Sequence, residues 1–206
     1  MRWSAPVLLG VAVLALGACP SRPAVYPDDD AVALAQKEWC RMLGRMELER
    51  ESRPVHEVSG GWRHQAACEA ARPSASADFL ARVTPCYERH LREGGDAALD
   101  GQAILADCAE QILVVADPGD TSGLDLVQAR CERAERCEKV PLADCLRTFA
   151  ALSGGQRAGL TTMYSLAAQS EIAACLRDGA CAKKGEDAAR DACYAPARKR
   201  RVWFAL

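Results

Sequence analysis

The cysteines of this chain constrain its fold more than any other feature. There are 11 of them among 206 residues, while aromatic residues make up only 5% of the chain. A protein with few large apolar side chains gains stability from covalent cross-links, and paired cysteines are typical of exported proteins. Free buried thiols are the alternative, and they are typical of a reducing compartment. The destination of the chain therefore decides between the two interpretations.

A short apolar run at the N-terminus predicts export. Arg2 precedes residues 8–18, which are apolar or small and too few to span a bilayer, since a spanning helix needs roughly 20 residues. The run ends in Leu16-Gly17-Ala18-Cys19, which resembles the lipobox of bacterial lipoproteins. The resemblance implies that residues 1–18 are a signal peptide and that the Cys19 thiol carries lipid such as palmitate. An ordinary secretory signal that contains a cysteine is the alternative.

Lipidation of Cys19 leaves an even number of cysteines, which predicts five disulfides. Residues 19–27 are rich in proline and are expected to form the lipid anchor and a tether to the membrane. Pro20, where an aspartate would retain such a protein at the inner membrane, favours the outer membrane. The chain is also similar to the cysteine-rich helical lipoproteins of unknown function that are common in myxobacteria. That similarity implies an envelope protein without an assigned activity.

Apolar residues recur at steps of three and four, which predicts an all-α, disulfide-braced bundle of short helices. The first such apolar face comprises Val32, Ala35, Trp39, Leu43 and Met46. We expect one helical half over residues 28–116 and a linker over 117–123. A second, cysteine-rich helical half is expected over 124–197, and a basic and aromatic tail over 198–206.

Capping residues predict where individual helices begin. Asp28-Asp29-Asp30 is expected to open the first helix, because acidic residues there bind free N–H groups and favour the helix dipole. Ser76 is expected to cap another helix. Thr84-Pro85 is interpreted as a cap followed by a first-turn proline, and Ser170-Glu171 as the start of a later helix.

The two halves look like diverged copies of one cysteine-bearing unit. Cys137 and Cys181 lie six positions after Cys131 and Cys175, whereas the first half has no cysteine six positions after Cys40 or Cys86. Because both extra cysteines are absent from the first half together, we predict that they bond to each other. Nested pairing then predicts the other four bridges: Cys40–Cys108, Cys68–Cys86, Cys131–Cys193 and Cys145–Cys175.

Two histidines predict an alternative use for some cysteines. His64 and Cys68 are four residues apart, as are Cys86 and His90, so each pair would share one face of a helix. Two imidazoles and two thiolates suit zinc or copper. A Cys68–Cys86 disulfide would consume the thiolates. Metal binding is therefore the alternative, and the main interpretation includes no cofactor.

The remaining motifs exclude several functions. Residues 152–157 (LSGGQR) match the signature motif of ABC-transporter ATPases, but no phosphate-binding loop accompanies them, so we expect no nucleotide. We interpret Gly154-Gly155 as the end of a helix. The formal net charge of −2 disfavours nucleic acid. No catalytic motif is present. We therefore predict a non-enzymatic lipoprotein that binds or supports an envelope protein, with an enzyme of unrecognised site as a further alternative.

Overall fold

The computed structural model describes residues 26–51, 65–70, 73–93, 101–114 and 123–201. This part of the chain is helical and contains no β-strand, so the prediction of an all-α, disulfide-braced fold is confirmed. Its helices are α1 (Asp29–Glu51), α2 (Gln65–Ala70), α3 (Ala77–Glu93), α4 (Gly101–Val114), α5 (Leu124–Glu138), α6 (Leu142–Ala150), α7 (Gly154–Leu160), α8 (Leu166–Asp178) and α9 (Glu186–Arg201).

The helices pack as two similar units, which supports the predicted duplication. In the first unit, α1 packs on α2 and α3, and α3 packs on α4. In the second unit, α5 packs in the same way on α6 and α8, and α8 packs on α9. The short helix α7 has no counterpart in the first unit and packs on α4.

Each unit is closed by bridges between neighbouring helices, and Cys137–Cys181 joins α5 to the connection between α8 and α9. The bridges are Cys40–Cys68, Cys86–Cys108, Cys131–Cys145, Cys137–Cys181 and Cys175–Cys193. The prediction of Cys137–Cys181 is confirmed. The predicted pairs Cys40–Cys108, Cys68–Cys86, Cys131–Cys193 and Cys145–Cys175 are wrong.

Nesting fails because α2 packs on α1 and α4 packs on α3, while α1 and α3 meet through apolar side chains. In the first unit, the rings of Trp39 and Tyr87 join α1 to α3 in an edge-to-face contact with centroids 5.3 Å apart. Each short helix is instead fastened to a long one, by Cys40–Cys68 in the first unit and by Cys131–Cys145 in the second. The separations of 28 and 14 residues differ because the two connecting segments differ in length.

A reciprocal backbone contact joins the two units. Ser76 and Ser165 each lie ten residues before a bridged cysteine, and each hydroxyl accepts a hydrogen bond from the first turn of the helix it caps, as predicted for Ser76. The Ser76 N–H donates to the Met163 carbonyl at 3.0 Å, and the Ser165 N–H donates to the Ser74 carbonyl at 3.0 Å. Equivalent positions of the two units therefore exchange equivalent hydrogen bonds at this contact.

One hydrophobic core extends through both units. It includes Leu80 of α3 and Ile172 of α8, both almost completely buried. Tyr164, at the junction, packs against Tyr194 of α9 with ring centroids 6.0 Å apart. The two units therefore share one hydrophobic core and form a single folded body.

Several predicted helix boundaries are wrong. Thr84-Pro85 lies inside α3, and the Thr84 hydroxyl donates to the Leu80 carbonyl. Proline has no N–H to donate within the helix, but Pro85 is exposed, so the helical hydrogen bond that is lost lies on the solvent side. Ser165, and not Ser170, caps α8. Gly154-Gly155 begins α7 and does not end a helix, because Ser153 and Gln156 form a capping box there.

The predicted linker and tail are only partly within the described residues. Of residues 117–123, only Gly123 is described; its φ of 85° is left-handed, and an added Cβ would lie 2.7 Å from Thr161 Cβ. Helix α9 continues beyond the expected boundary at 197 to Arg201. None of the described helices has the length and apolar character needed to cross a membrane.

Candidate functional site

The predicted metal-binding set of His64, Cys68, Cys86 and His90 is not brought together. Cys68 is bonded to Cys40 and is 1% exposed, whereas Cys86 is bonded to a different cysteine. His64 lies outside the described residues. The two sulfur atoms expected to share one ion therefore belong to separate bridges, and the four-residue set is wrong for the paired form of the protein.

His90 instead lies beside the Cys86–Cys108 bridge. One potential ligand atom from each of Cys86, His90 and Cys108 lies within 4.8 Å of the others. The spacing of Cys86 and His90 along α3 places both on one face, as predicted, and α4 supplies Cys108. His90 Nε2 also lies 3.1 Å from a carboxylate oxygen of Asp107. Asp107 was not predicted as a site residue, because its position next to Cys108 becomes informative only once the Cys86–Cys108 bridge is known.

The disulfide decides what this cluster can bind. Zinc and copper take cysteine as thiolate, and here the two sulfur atoms are bonded to each other. In the bridged form the cluster offers a half-buried imidazole from His90 and a carboxylate from Asp107. The Arg89 guanidinium lies 4.0 Å from Cys86 Sγ and opposes a bound cation. The cluster becomes a full ligand set only after reduction.

The second unit shows that the bridge itself needs no histidine. Cys175–Cys193 joins α8 to α9 as Cys86–Cys108 joins α3 to α4. Gly179 and Ala192 stand there at the positions of His90 and Asp107, counted from the bridged cysteines. The His90–Asp107 pair is thus a property of the first unit alone.

Among the residues that the structure describes, Arg133 has the most deeply buried charged side chain, with 1% exposed. It lies two residues after Cys131, the position that Met42 has after Cys40. Its guanidinium donates to Glu186 at 2.5 Å and to the Ala180 carbonyl at 3.1 Å. The hydrogen bond from Arg133 lowers the pKa of Glu186, and a second from the Ala182 N–H acts in the same direction. Arg133 was not predicted, because its sequence context is that of an ordinary helix.

The segment held by Arg133 leaves no space for a ligand. A Cβ added to Gly179 would lie 2.7 Å from Arg133 Nη1. Arg136 donates to the Leu176 and Gly179 carbonyls, and Cys137–Cys181 closes the same connection covalently. These groups satisfy the carbonyls at the end of α8, so the cluster is structural.

Two open grooves lie on the described surface. One, of about 550 Å³ between α1 and α3, is lined by Glu38, Arg41, Met42, Arg45 and Thr84. The other, of about 570 Å³ between α4 and α7, is lined by Ala106, Ala109, Glu110 and residues 153–156. Within the described residues, neither lining combines a nucleophile with a histidine base, so neither groove resembles a catalytic site.

The beginning of α1 and the end of α9 are connected at the junction of the units. An Asp28 carboxylate oxygen accepts from the Leu166 N–H at 3.0 Å, at the start of α8. The preceding residue, Ser165, donates its N–H to the Ser74 carbonyl at 3.0 Å. The Ser74 hydroxyl donates in turn to the Ala197 carbonyl at 2.6 Å. We call this part of the surface, from Asp28 to Ala197, the tether end, because the predicted tether joins the fold there.

Cys19 and the rest of the lipobox-like sequence lie outside the described residues. Comparisons of the chain with protein-family models, with curated proteins and with solved structures find no match.

Proposed function

We propose that this chain is a lipoprotein anchored in the bacterial cell envelope, with the outer membrane favoured, and that its role is binding or structural and not enzymatic. The observation that carries the proposal is the pairing of the cysteines. Ten of the 11 are bridged, and the one outside the five bridges is Cys19 of the lipobox-like sequence. Disulfides persist in exported proteins, and a lipid on Cys19 would block the remaining thiol.

The surface supports a binding role for the folded part. Leu34 on α1 and Leu124 on α5 are 60% and 63% exposed. Leu34 lies six residues before Cys40, and Leu124 lies seven residues before Cys131. Apolar side chains exposed on a cross-linked scaffold suit contact with another envelope protein better than catalysis, which needs convergent polar groups in a cleft.

The experiment that tests the anchor is metabolic labelling with a palmitate analogue in a bacterial host, with Cys19→Ser as the matched control. We expect label on the wild-type chain, cleavage before Cys19 and recovery in the membrane fraction. The Cys19→Ser variant should carry no label and leave that fraction. An unlabelled wild-type chain recovered as a soluble protein would reject the proposal.

Metal binding is a second candidate, favoured by the position of His90 beside Cys86 and Cys108. A dithiol reductant would supply two electrons and two protons to the bridge. The resulting thiols would release their protons to water as they bind zinc or copper, with His90 and Asp107 completing the site in place of His64 and Cys68. Zinc content after mild reduction distinguishes this candidate. We expect one ion per chain, lost in His90→Ala and retained in a Cys175→Ser/Cys193→Ser control; a reduced protein without zinc excludes it.

A further inference from the structure

The Cys86–Cys108 bridge has an environment suited to reaction with thiols. The Arg89 guanidinium lies 4.0 Å from Cys86 Sγ, and a ring nitrogen of His90 lies within 4.8 Å of both sulfur atoms. His90 Nε2 also lies 3.1 Å from Asp107 Oδ2, which holds the imidazole beside the bridge. A cation and an imidazole next to a sulfur atom favour its thiolate, the form of cysteine that takes part in disulfide exchange.

The two sulfur atoms of this bridge differ in accessibility. Cys86 is half-buried, whereas Cys108 is completely buried, so an incoming thiol reaches Cys86. Attack on one sulfur atom of a disulfide expels the other as the leaving group. The bridge therefore has a defined order of reaction, in which Cys86 is attacked and Cys108 leaves.

The equivalent bridge of the second unit has the opposite local charge. Cys175–Cys193 joins α8 to α9, and Cys175 is exposed. Counted from that cysteine, Asp178 stands where the first unit has its guanidinium, and Gly179 stands where it has its imidazole. A carboxylate there would repel an incoming thiolate, and glycine has no side chain that could move a proton. Exposure alone favours reaction at Cys175–Cys193, whereas charge and proton transfer favour the bridge of the first unit.

We propose that Cys86–Cys108 is a thiol–disulfide exchange site for a dithiol, with His90 as the proton carrier and Arg89 as the cation beside the reacting sulfur. The first thiol of the dithiol bonds to Cys86 Sγ while the bond to Cys108 breaks. Its proton passes through the His90 imidazole to the Cys108 sulfur. The second thiol then displaces Cys86, whose thiolate takes the remaining proton. The dithiol is thereby oxidised to a disulfide by two electrons, and the bridge is reduced to two thiols.

The exchange goes beyond the proposed anchored binding role and adds a second redox state to it. The bridged form is the resting state. The reaction does not depend on a lipid at Cys19. It requires no metal, although it opens the cluster in which the alternative zinc site would lie. A ring nitrogen within 4.8 Å of a sulfur atom can exchange a proton with it through one water molecule.

Partial reduction of the oxidised full-length chain tests the proposal. Free thiols, including any at Cys19, are first blocked with one alkylating reagent, and EDTA is present so that no metal traps the reduced form. Dithiothreitol is then added, and samples are taken before reduction is complete. The thiols that appear are labelled with a second reagent of different mass. Peptide mass spectrometry gives the rate at which each bridge opens.

We expect Cys86–Cys108 to open roughly tenfold faster than Cys175–Cys193, in spite of the greater exposure of Cys175. Arg89→Asp should slow its opening by about fivefold or more, since the variant has the local charge of the second unit. His90→Gln should slow it by about tenfold or more, because the proton carrier is lost. In both variants the rate at Cys175–Cys193 should keep its wild-type value, which shows that the fold is intact.

The matched control reverses the charge in the second unit. Asp178→Arg should speed the opening of Cys175–Cys193 by about fivefold, because a guanidinium then lies near that bridge. The same variant should leave the rate at Cys86–Cys108 unchanged. A variant that changes neither rate would contradict the role given to the local charge.

Other outcomes overturn the proposal. If Cys175–Cys193 opens first, exposure and not local chemistry decides the reactivity. If all the bridges open together, reduction follows unfolding of the whole fold. If Cys86–Cys108 opens first but the Arg89 and His90 variants leave its rate unchanged, the two side chains take no part in the exchange. The lipid anchor is tested separately by metabolic labelling, so its failure is distinguishable from each of these results.

Discussion

Ala75 and Tyr164 pair with each other through an isolated antiparallel bridge at the junction of the two units. The residues on either side of them exchange backbone hydrogen bonds, from Ser76 to Met163 and from Ser165 to Ser74. The contact is therefore reciprocal, as it is in the two-fold interface of a homodimer. A single chain here has the kind of contact that otherwise joins two subunits. Hydrogen bonds next to the bridge connect Asp28, which precedes α1, through Ser165 and Ser74 with Ala197 of α9.

The Ser74 hydroxyl should be important for this junction. Ser74 is fully buried and donates to the Ala197 carbonyl. In Ser74→Ala the buried carbonyl loses this hydroxyl donor, which should lower the free energy of unfolding by about 1–2 kcal/mol. Thr148→Ala removes an exposed hydroxyl that donates to the Asp144 carbonyl. This control should change the free energy of unfolding by less than about 0.5 kcal/mol. Urea denaturation measures both; equal effects would mean that the junction bond contributes nothing.

Arg133 should contribute more than any exposed ion pair. Arg133→Ala removes a buried guanidinium, so the Ala180 carbonyl and Glu186 lose the hydrogen bonds that it donates. We expect a loss of about 3 kcal/mol. Arg147, which pairs with Asp144 and is 76% exposed, is the matched control, and Arg147→Ala should cost less than about 0.5 kcal/mol. Comparable losses in the two variants would contradict the structural role assigned to Arg133.

The stability of the fold should decrease in acid because of the Arg133–Glu186 pair. The pKa of Glu186 is lowered in the folded state by Arg133, so the folded protein takes up this proton less readily than the unfolded chain. The stabilisation is complete above the unfolded pKa of about 4.3 and is lost as the pH falls through that value toward the lower, folded one. Glu132 acts in the same direction, through Gln128 and then Arg177. Thermal unfolding between pH 6 and 3 should show a shallower acid decline in Glu186→Gln, and an unchanged decline would exclude this contribution.

The Cys137–Cys181 bridge should stabilise the second unit although the first lacks it. It closes a separation of 44 residues, the longest of the five. Its removal in Cys137→Ser/Cys181→Ser should cost about 4 kcal/mol through the entropy of the unfolded chain. The variant should still fold, because the first unit has Met46 and Arg92 at the equivalent positions. A variant without helical circular dichroism at 25 °C would show that the second unit, unlike the first, cannot fold without this bridge.

The sequence predicts the fold better than the contacts that hold it together. Apolar periodicity and proline spacing suffice for the helical class, and the paired absence of two cysteines suffices for Cys137–Cys181. The remaining bridges could not be predicted, because the spacings of Cys40–Cys68 and Cys131–Cys145 differ by a factor of two. The docking of a short helix on a long one determines both bridges, and spacing alone does not encode that docking.

The candidate sites, too, depend on helix docking that the sequence spacing does not encode. The helical spacing of Cys86 and His90 is visible in the sequence, but Cys108 and Asp107 reach them only through the packing of α4 on α3. Arg133 looks like a surface residue of α5 until the end of α8 covers it. Tertiary packing also overrides the local preference at Pro85, since the apolar face of α3 continues on both sides of it.

The most direct test of the account is an intact-mass measurement on the protein extracted from membranes with a thiol-alkylating reagent and without reduction. The account predicts a chain that begins at Cys19, carries lipid there, takes up no alkyl group and is lighter by ten hydrogens than its fully reduced form. A chain with alkylated Cys19, or with any of the other ten cysteines alkylated, would contradict it.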